Sequence, residues 1–322
     1  MRITVAAYIN GKYADPLVME LGPAASPHQP VMAAEVLQHL APMPGQMIVD
    51  GTLGAGGHSF GILPRLLPDG TLLGIDRDPA ALLAARRRLT EFEPRVRFRQ
   101  GNFRDLPAIL RAEGLSGIDG LVLDLGMSSL HVDQPQRGFS FLHEGPLDMR
   151  MDQEQGATAE DLVNHASLDE LARLFTEYGE ERYAHRIASR ILEARRRERI
   201  TRTSELADIV KSAVPPQARY GRIHPATRVF QALRIAVNDE LGALRDVLAA
   251  LPDVLKPGAR AVIISFHSLE DRLVKHAFLE GARAGTWTVL TKKPVTASDD
   301  EIERNPRARS AKLRAIMRDG TS

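Results

Sequence analysis

From residue 47 onward the chain alternates short apolar runs with longer amphipathic stretches. Met47–Val49, Thr71–Ile75, Val96–Phe103 and Ile118–Leu125 read as strands, with glycine, asparagine or acids at their ends. Between them, 58–67, 79–92 and 104–113 read as helices, and Pro79 suits a first helical turn. Ile118–Leu125 is apolar almost throughout, as a central parallel strand covered on both faces requires. This order of elements predicts an α/β domain with a mostly parallel, doubly wound sheet, whose ligands bind at the carboxyl ends of the strands.

The alternation breaks after Leu125. Residues 130–155 read as an irregular loop, and 158–214 as helices alone. Thr158 with Asp161 and Ser167 with Glu170 have capping-box spacing, and Thr203 opens another helix start. Leu168, Leu171, Leu174 and Phe175 recur at helical spacing and predict a packed core. The alternation then resumes with a helical region over 226–255, expected to break at Pro252. A strand over 259–266 and a helix over 268–280 follow, and 287–290 with 312–317 would close the sheet as an antiparallel pair. The expected domains are an extension over 1–27, a sheet domain over 28–135 and 222–322, and an inserted helical subdomain over 136–221 for substrate recognition. Asn10-Gly11 between two β-prone stretches predicts a hairpin in the extension.

Charge and composition narrow this little. Lys+Arg 42 against Asp+Glu 41 leaves a net charge of +1, so the total does not point to nucleic acid. The distribution is uneven: basic residues cluster at 195–199 and again at 304–318, each also readable as a solvated helix face. With no cysteine, disulfides, thiolate nucleophiles and Cys-ligated metals are excluded, which fits a reducing, cytoplasmic setting. No run is apolar enough for a membrane helix, and Lys12, Asp15 and Glu20 argue against a signal peptide after Ile3–Ile9.

The chemistry concentrates in residues 46–58. A strand ending in Asp50 enters a turn with Gly51, Gly54, Gly56 and Gly57, and a helix follows. Glycines there let the backbone turn sharply and approach a ligand closely. The next strand ends in Asp76, about where a nucleotide fold places the acid that grips ribose hydroxyls. A P-loop would need a lysine that this turn lacks. A dinucleotide loop would need a third glycine where Ser59 stands, and Asp50 would repel a pyrophosphate. S-adenosylmethionine fits better. Its ammonium can meet Asp50 directly or through water, its ribose Asp76 and its adenine Phe103. A glycine turn that merely packs is the remaining reading.

At this point the motifs match a known family. The chain resembles the bacterial RsmH (MraW) enzymes through His28-Gln-Pro-Val-Met32, the turn from Asp50 to Ser59, and Gly74-Ile-Asp-Arg-Asp-Pro79. Leu123-Asp-Leu-Gly-Met-Ser-Ser129, Arg137-Gly-Phe-Ser-Phe141 and the segment from Gly145 to Asp152 match too. So do Tyr178 to Arg182, His224 to Arg228, Ile264 to Arg272 and Asn305 to Ser310. The resemblance implies a class I (Rossmann-like) S-adenosylmethionine methyltransferase fold. It implies methylation of the N4 amine of a cytosine in the decoding region of 16S rRNA, within a small-subunit particle. Its cofactor contacts carry over to Gly56, Gly57, His58, Asp76, Phe103 and Asp124, and to His131 where the family usually has glutamine. Residues 1–27 precede the usual family start, and the family often has a longer segment before Asn305.

Asp124 is the first candidate for orienting the acceptor amine, with cofactor binding alone as its rival role. Many amino methylases place an Asp-Pro-Pro-aromatic sequence here, but this chain has Asp124-Leu-Gly-Met127, so base stacking is expected from Phe139 or Phe141. Arg137, Arg150, Arg307 and Arg309 are expected to contact RNA phosphates. His267 is either a proton acceptor in the cleft or a structural helix cap. No His/Asp/Glu spacing predicts a metal site. A homodimer is left open, as are another base or a protein amide as acceptor and a non-catalytic ribosome-assembly factor.

Overall fold

Residues 29–128, 133–220 and 224–320 are described in full in the computed structural model, together with the backbone of four short strands nearer the start. Those strands are β1 (Ile3–Val5), β2 (Tyr8–Ile9), β3 (Lys12–Tyr13) and β4 (Leu17–Met19). β1 pairs antiparallel with β4. β2 pairs antiparallel with β3 around Asn10 and Gly11, which themselves lie outside the described residues.

The main sheet contains β5 (Met47–Asp50), β6 (Thr71–Asp76), β7 (Val96–Gln100), β8 (Ile118–Asp124) and β9 (Leu255–Ser265). It closes with β10 (Trp287–Val289), β11 (Val295–Thr296) and β12 (Lys312–Arg318). The spatial order is β10-β12-β9-β8-β5-β6-β7, with β11 paired to β12. All neighbours from β9 to β7 are parallel, while β12 runs antiparallel to β9 and β10. This is a doubly wound, Rossmann-like arrangement. Chain order runs one way from β5 to β7 and the other way from β8 to β9, so a crevice opens at the carboxyl ends of β5 and β8.

Period-two alternation sorts the strand side chains onto two faces. On one, Ile48, Leu72, Val122, Val262 and Ile264 pack under α1 (Ala33–Leu40), α2 (Gly57–Ile62) and α3 (Pro79–Arg88). On the other, Val49, Leu73, Leu121, Leu123 and Ile263 pack with Leu106 and Leu110 of α4 (Leu106–Ala112). A sheet buried on both faces needs this continuous apolar composition.

The helical subdomain comprises α5 (Ala159–His165), α6 (Leu168–Glu177), α7 (Ala184–Arg195), α8 (Thr203–Ala213) and the short α9 (Pro216–Arg219). Both predicted capping boxes are formed, at Thr158 and Ser167. Thr203 is the first residue of α8 rather than its cap, and its buried Oγ accepts the Gly145 N–H. Two boundaries differ from expectation. The long helical region breaks at Asp239, whose left-handed backbone (φ 47°) separates α10 (Ala226–Asn238) from α11 (Glu240–Val254). Pro252 lies inside the last turn of α11, where a missing N–H disturbs little helix. The helical core also includes Ala226, Val229, Phe230 and Leu233 of α10, so it extends past residue 221 to Asn238. Those four positions form one helical stripe that faces the insert. Two further helices, α12 (Ser268–Arg283) and α13 (Asp299–Arg304), complete the chain. Among the described residues, no helix is long and apolar enough to cross a membrane.

Candidate functional site

The crevice at the switch point holds a cavity. Thr52, Gly54, Gly57 and His58 line it from the glycine turn, Asp76 and Asp124 from the ends of β6 and β8. Phe103 lines it beyond β7, and Phe266 beyond β9. Six of the expected cofactor residues therefore converge: Gly54, Gly57, His58, Asp76, Phe103 and Asp124. Gly56 does not line the cavity. Its backbone is left-handed (φ 77°), and a Cβ there would stand 3.1 Å from Leu89, so glycine lets the turn pack. His131 lies outside the described residues.

Asp50 is corrected from ligand contact to turn organiser. It is 1% exposed and does not line the cavity. Its Oδ2 accepts the Ser59 hydroxyl at 2.6 Å and its Oδ1 the Thr52 N–H at 3.3 Å. Burial raises its pKa above the ordinary carboxylate value, opposed by Ser59, His58 and Thr52. Asp76 is different. Its Oδ2 accepts the Gly54 N–H at 2.7 Å and its Oδ1 the Asp78 N–H at 2.9 Å. These bonds fix the carboxylate at the cavity wall.

His58 and Asp124 meet across the cavity wall, Nε2 to Oδ2, at 3.3 Å. Burial opposes the imidazolium, but the hydrogen bond and charge of Asp124, aided by Asp50, outweigh it and raise the His58 pKa above 6.5. With a raised folded pKa, the stabilisation is fully present below 6.5 and disappears as pH rises through the folded value. The thermal advantage of the native protein over a His58→Gln variant should therefore be larger at acidic pH than at alkaline pH. Melting curves at both ends of the range test this, and an advantage that grows with pH would contradict it.

Two buried polar atoms of cavity-lining residues have no partner among the described residues. Asp124 Oδ1 and Ser128 Oγ are buried and make no hydrogen bond to a described residue. Such groups are costly unless a ligand satisfies them.

The expected RNA contacts fare unevenly. Arg137 is 5% exposed, and its Nη1 binds Asp78 Oδ2 at 2.6 Å. Its Nη2 donates to the carbonyls of Arg150 and Met151. This corrects the phosphate role, because the guanidinium is buried against the sheet domain. Phe139 is likewise buried, in the helical core, and is corrected as a stacking residue. Phe141 is occupied by His224 and Phe230, with ring centroids 4.8 and 4.9 Å away. Arg150 is committed to Asp148 through Nε and Nη2, at 2.8 and 2.9 Å. Arg307 lines the cavity and pairs with Asp133, while Arg309 is exposed.

His267 does not line the cavity. It caps α12, its Nδ1 accepting the Glu270 N–H, and its Nε2 stands 3.1 Å from Glu270 Oε1. Glu240, His267 and Glu270 are close enough together to suggest a metal centre. Arg234 already holds both oxygens of Glu240 at 2.9 Å, so a fixed guanidinium supplies the compensating charge. The sequence reading missed Phe266, Ser128 and Glu270. The signal for Phe266 was present as an aromatic directly after an apolar strand.

Residues 25–319 match the MraW methylase family. A relative called ribosomal RNA small subunit methyltransferase H from Geobacter sulfurreducens is 53% identical over 303 residues, 89% of this chain and 97% of its own length. Its counterpart in Trichlorobacter lovleyi is 50% identical over 308 residues, 91% of this chain and 98% of its own. A solved rRNA methylase from Streptococcus thermophilus aligns with 90% of this chain and 96% of its own, with TM-score 0.42 and 9% identity. With the match running nearly from end to end, the chain belongs to the MraW methylase family.

Proposed function

We propose that this chain transfers a methyl group from S-adenosylmethionine to the N4 amine of a cytosine in the decoding region of 16S rRNA, acting in the cytoplasm on a small-subunit particle. The observation that carries this reading is Asp124, whose buried Oδ1 has no partner among the described residues, in the wall of a cavity also lined by Asp76 and Phe103. The names of the relatives support ribosomal RNA of the small subunit as substrate.

The cavity residues suit the cofactor. Asp76 lines the cavity with a carboxylate held by backbone N–H groups and suits ribose hydroxyls, Phe103 offers a flat apolar face to adenine, and the glycine turn gives backbone access. His58, whose imidazolium is favoured by Asp124, suits the methionine carboxylate. When bound, S-adenosylmethionine supplies an electrophilic methyl carbon on a positively charged sulfur.

The rest falls to the protein. A cytosine amine is a weak nucleophile because its lone pair is delocalised into the ring. Asp124 Oδ1 can accept one N–H of that amine, draw the nitrogen toward pyramidal geometry and hold its lone pair in line with the methyl carbon. The amine forms one N–C bond as the sulfur–methyl bond breaks and leaves its electron pair on sulfur, and the amine releases one proton, which Asp124 can accept on its way to solvent. The target base must be single-stranded or extruded from its helix to enter the cavity.

Mass spectrometry of nucleosides from 16S rRNA of strains with and without the gene tests the reading. N4-methylcytidine should disappear in the deletion strain and return on complementation, and an unchanged level would overturn the proposal. Purified protein that binds small-subunit RNA but transfers no labelled methyl would support a non-catalytic assembly role instead.

A further inference from the structure

We propose that Phe266 is the platform on which the acceptor base stacks, with Asp124 at its exocyclic amine. The inference rests on the methyl-transfer reading above and names the part of the cavity that takes the base.

Sheet order gives the first argument. Phe103 and Phe266 are the phenyl rings that line the cavity among the described residues. Along the crevice the order is Phe103 after β7, Asp76 on β6, Asp124 on β8 and Phe266 after β9. The two acids thus lie between two aromatics. Phe103 stands beside Asp76, the end suited to an adenosine, so Phe266 stands on the side of Asp124 left for the acceptor.

Register gives the second. Asp124 pairs with Ile264 across β8 and β9, and the Leu125 N–H donates to the Ile264 carbonyl. Phe266 is therefore two residues beyond the register partner of Asp124. Gly126 separates them with a left-handed backbone (φ 115°), and a Cβ there would come within 3.2 Å of the Phe266 ring. A side chain at 126 would crowd the ring that glycine leaves free.

The backbone that carries the ring is also anchored. The Phe266 N–H donates to Glu270 Oε2 at 2.8 Å, and Glu270 is 2% exposed. Burial opposes the Glu270 charge, but His267, Arg234 and the Phe266 N–H outweigh it and keep its carboxylate ionised. The strand end carrying Phe266 is thereby fixed by a charged anchor rather than left as a loop.

Chemistry explains why a platform is needed there. The lone pair of a cytosine amine points out of the ring plane, whereas its N–H bonds lie in it. A base stacked on Phe266 with one face presents the other to the methyl donor. Its in-plane N–H is then available to Asp124 Oδ1. Phe139 and Phe141 cannot offer this face, because both are packed among helices of the insert.

The test uses the full-length protein on small-subunit particles from a strain lacking the gene, with labelled S-adenosylmethionine and a parallel calorimetric measurement of cofactor affinity. Phe266→Ala and Phe266→Leu should each lower kcat/KM for RNA by about 10- to 100-fold, the range expected for losing one base–aromatic stack. Cofactor affinity should not change, and Phe266→Tyr and Phe266→Trp should retain transfer. Phe103→Ala should do the reverse and lose cofactor affinity. Leucine performing as well as tyrosine would mean the ring only fills space and would overturn the proposal. A loss of cofactor affinity in Phe266→Ala matching that of Phe103→Ala would also overturn it. If the alanine variant does not fold, the leucine and tyrosine variants decide. Absence of transfer by the wild-type protein would instead overturn the methyl-transfer reading itself.

Discussion

Replacing Asp124 with alanine should lower single-turnover methyl transfer by roughly 10²- to 10³-fold, the scale seen when one preorganised polar contact to a reacting group is removed. The side chain sits at the end of β8 in the cavity wall, with Oδ2 tied to His58 and Oδ1 buried without a partner among the described residues. The tie to His58 restricts its rotation, so Oδ1 is positioned before any ligand arrives. Alanine removes the acceptor and also leaves His58 without its partner, which makes the control important. Asp124→Asn keeps one acceptor oxygen, which can face either His58 or the amine but not both, and should retain more transfer than alanine. Cofactor affinity separates the two roles this residue can have. Transfer that falls while affinity holds assigns Asp124 to the amine. A parallel fall in affinity with an unchanged rate at saturation would assign it to the cofactor and refute the orienting role.

Arg137→Ala should cost about 3–5 kcal/mol of folding stability, the usual range for removing one partner from a buried ion pair. Arg137 and Asp78 are 6% and 3% exposed in their side chains, and the alanine variant would leave Asp78 charged in that setting. Asp78 also caps α3 through the Ala80 N–H and donates its own N–H to Asp76. A disturbance at Arg137 therefore reaches the carboxylate expected to hold the ribose. Denaturant titration should show the lost stability, and calorimetry should show weaker cofactor binding in the variant that remains folded. A variant with native stability and reduced RNA affinity alone would restore the phosphate-contact reading that the buried geometry replaces.

Much of the framework was readable from local pattern. The glycine turn, the strand-end acids Asp76 and Asp124 and the two capping boxes depend on residues a few positions apart, and each is where the pattern put it. The break at Asp239 was not readable. A proline is the obvious helix breaker in a sequence, whereas an aspartate with a left-handed backbone announces nothing. The extent of the insert was misread for a related reason. α10 follows the insert in sequence, but its apolar stripe packs with the insert rather than with the sheet.

The same division holds at the site. By itself the sequence determined the order of strands and helices, the turn that admits a nucleoside, and the acids that flank it, because alternation, glycine content and strand-end position are local properties. Tertiary structure alone decided which charged and aromatic side chains face the cavity. Arg137 reads as an exposed cation until the fold sets it against Asp78, 59 positions away. Phe139 reads as a loop aromatic until α10 closes over the insert, and Phe266 reads as a strand residue until β8 lies beside β9. Burial is settled by partners distant along the chain, and no local pattern carries that information.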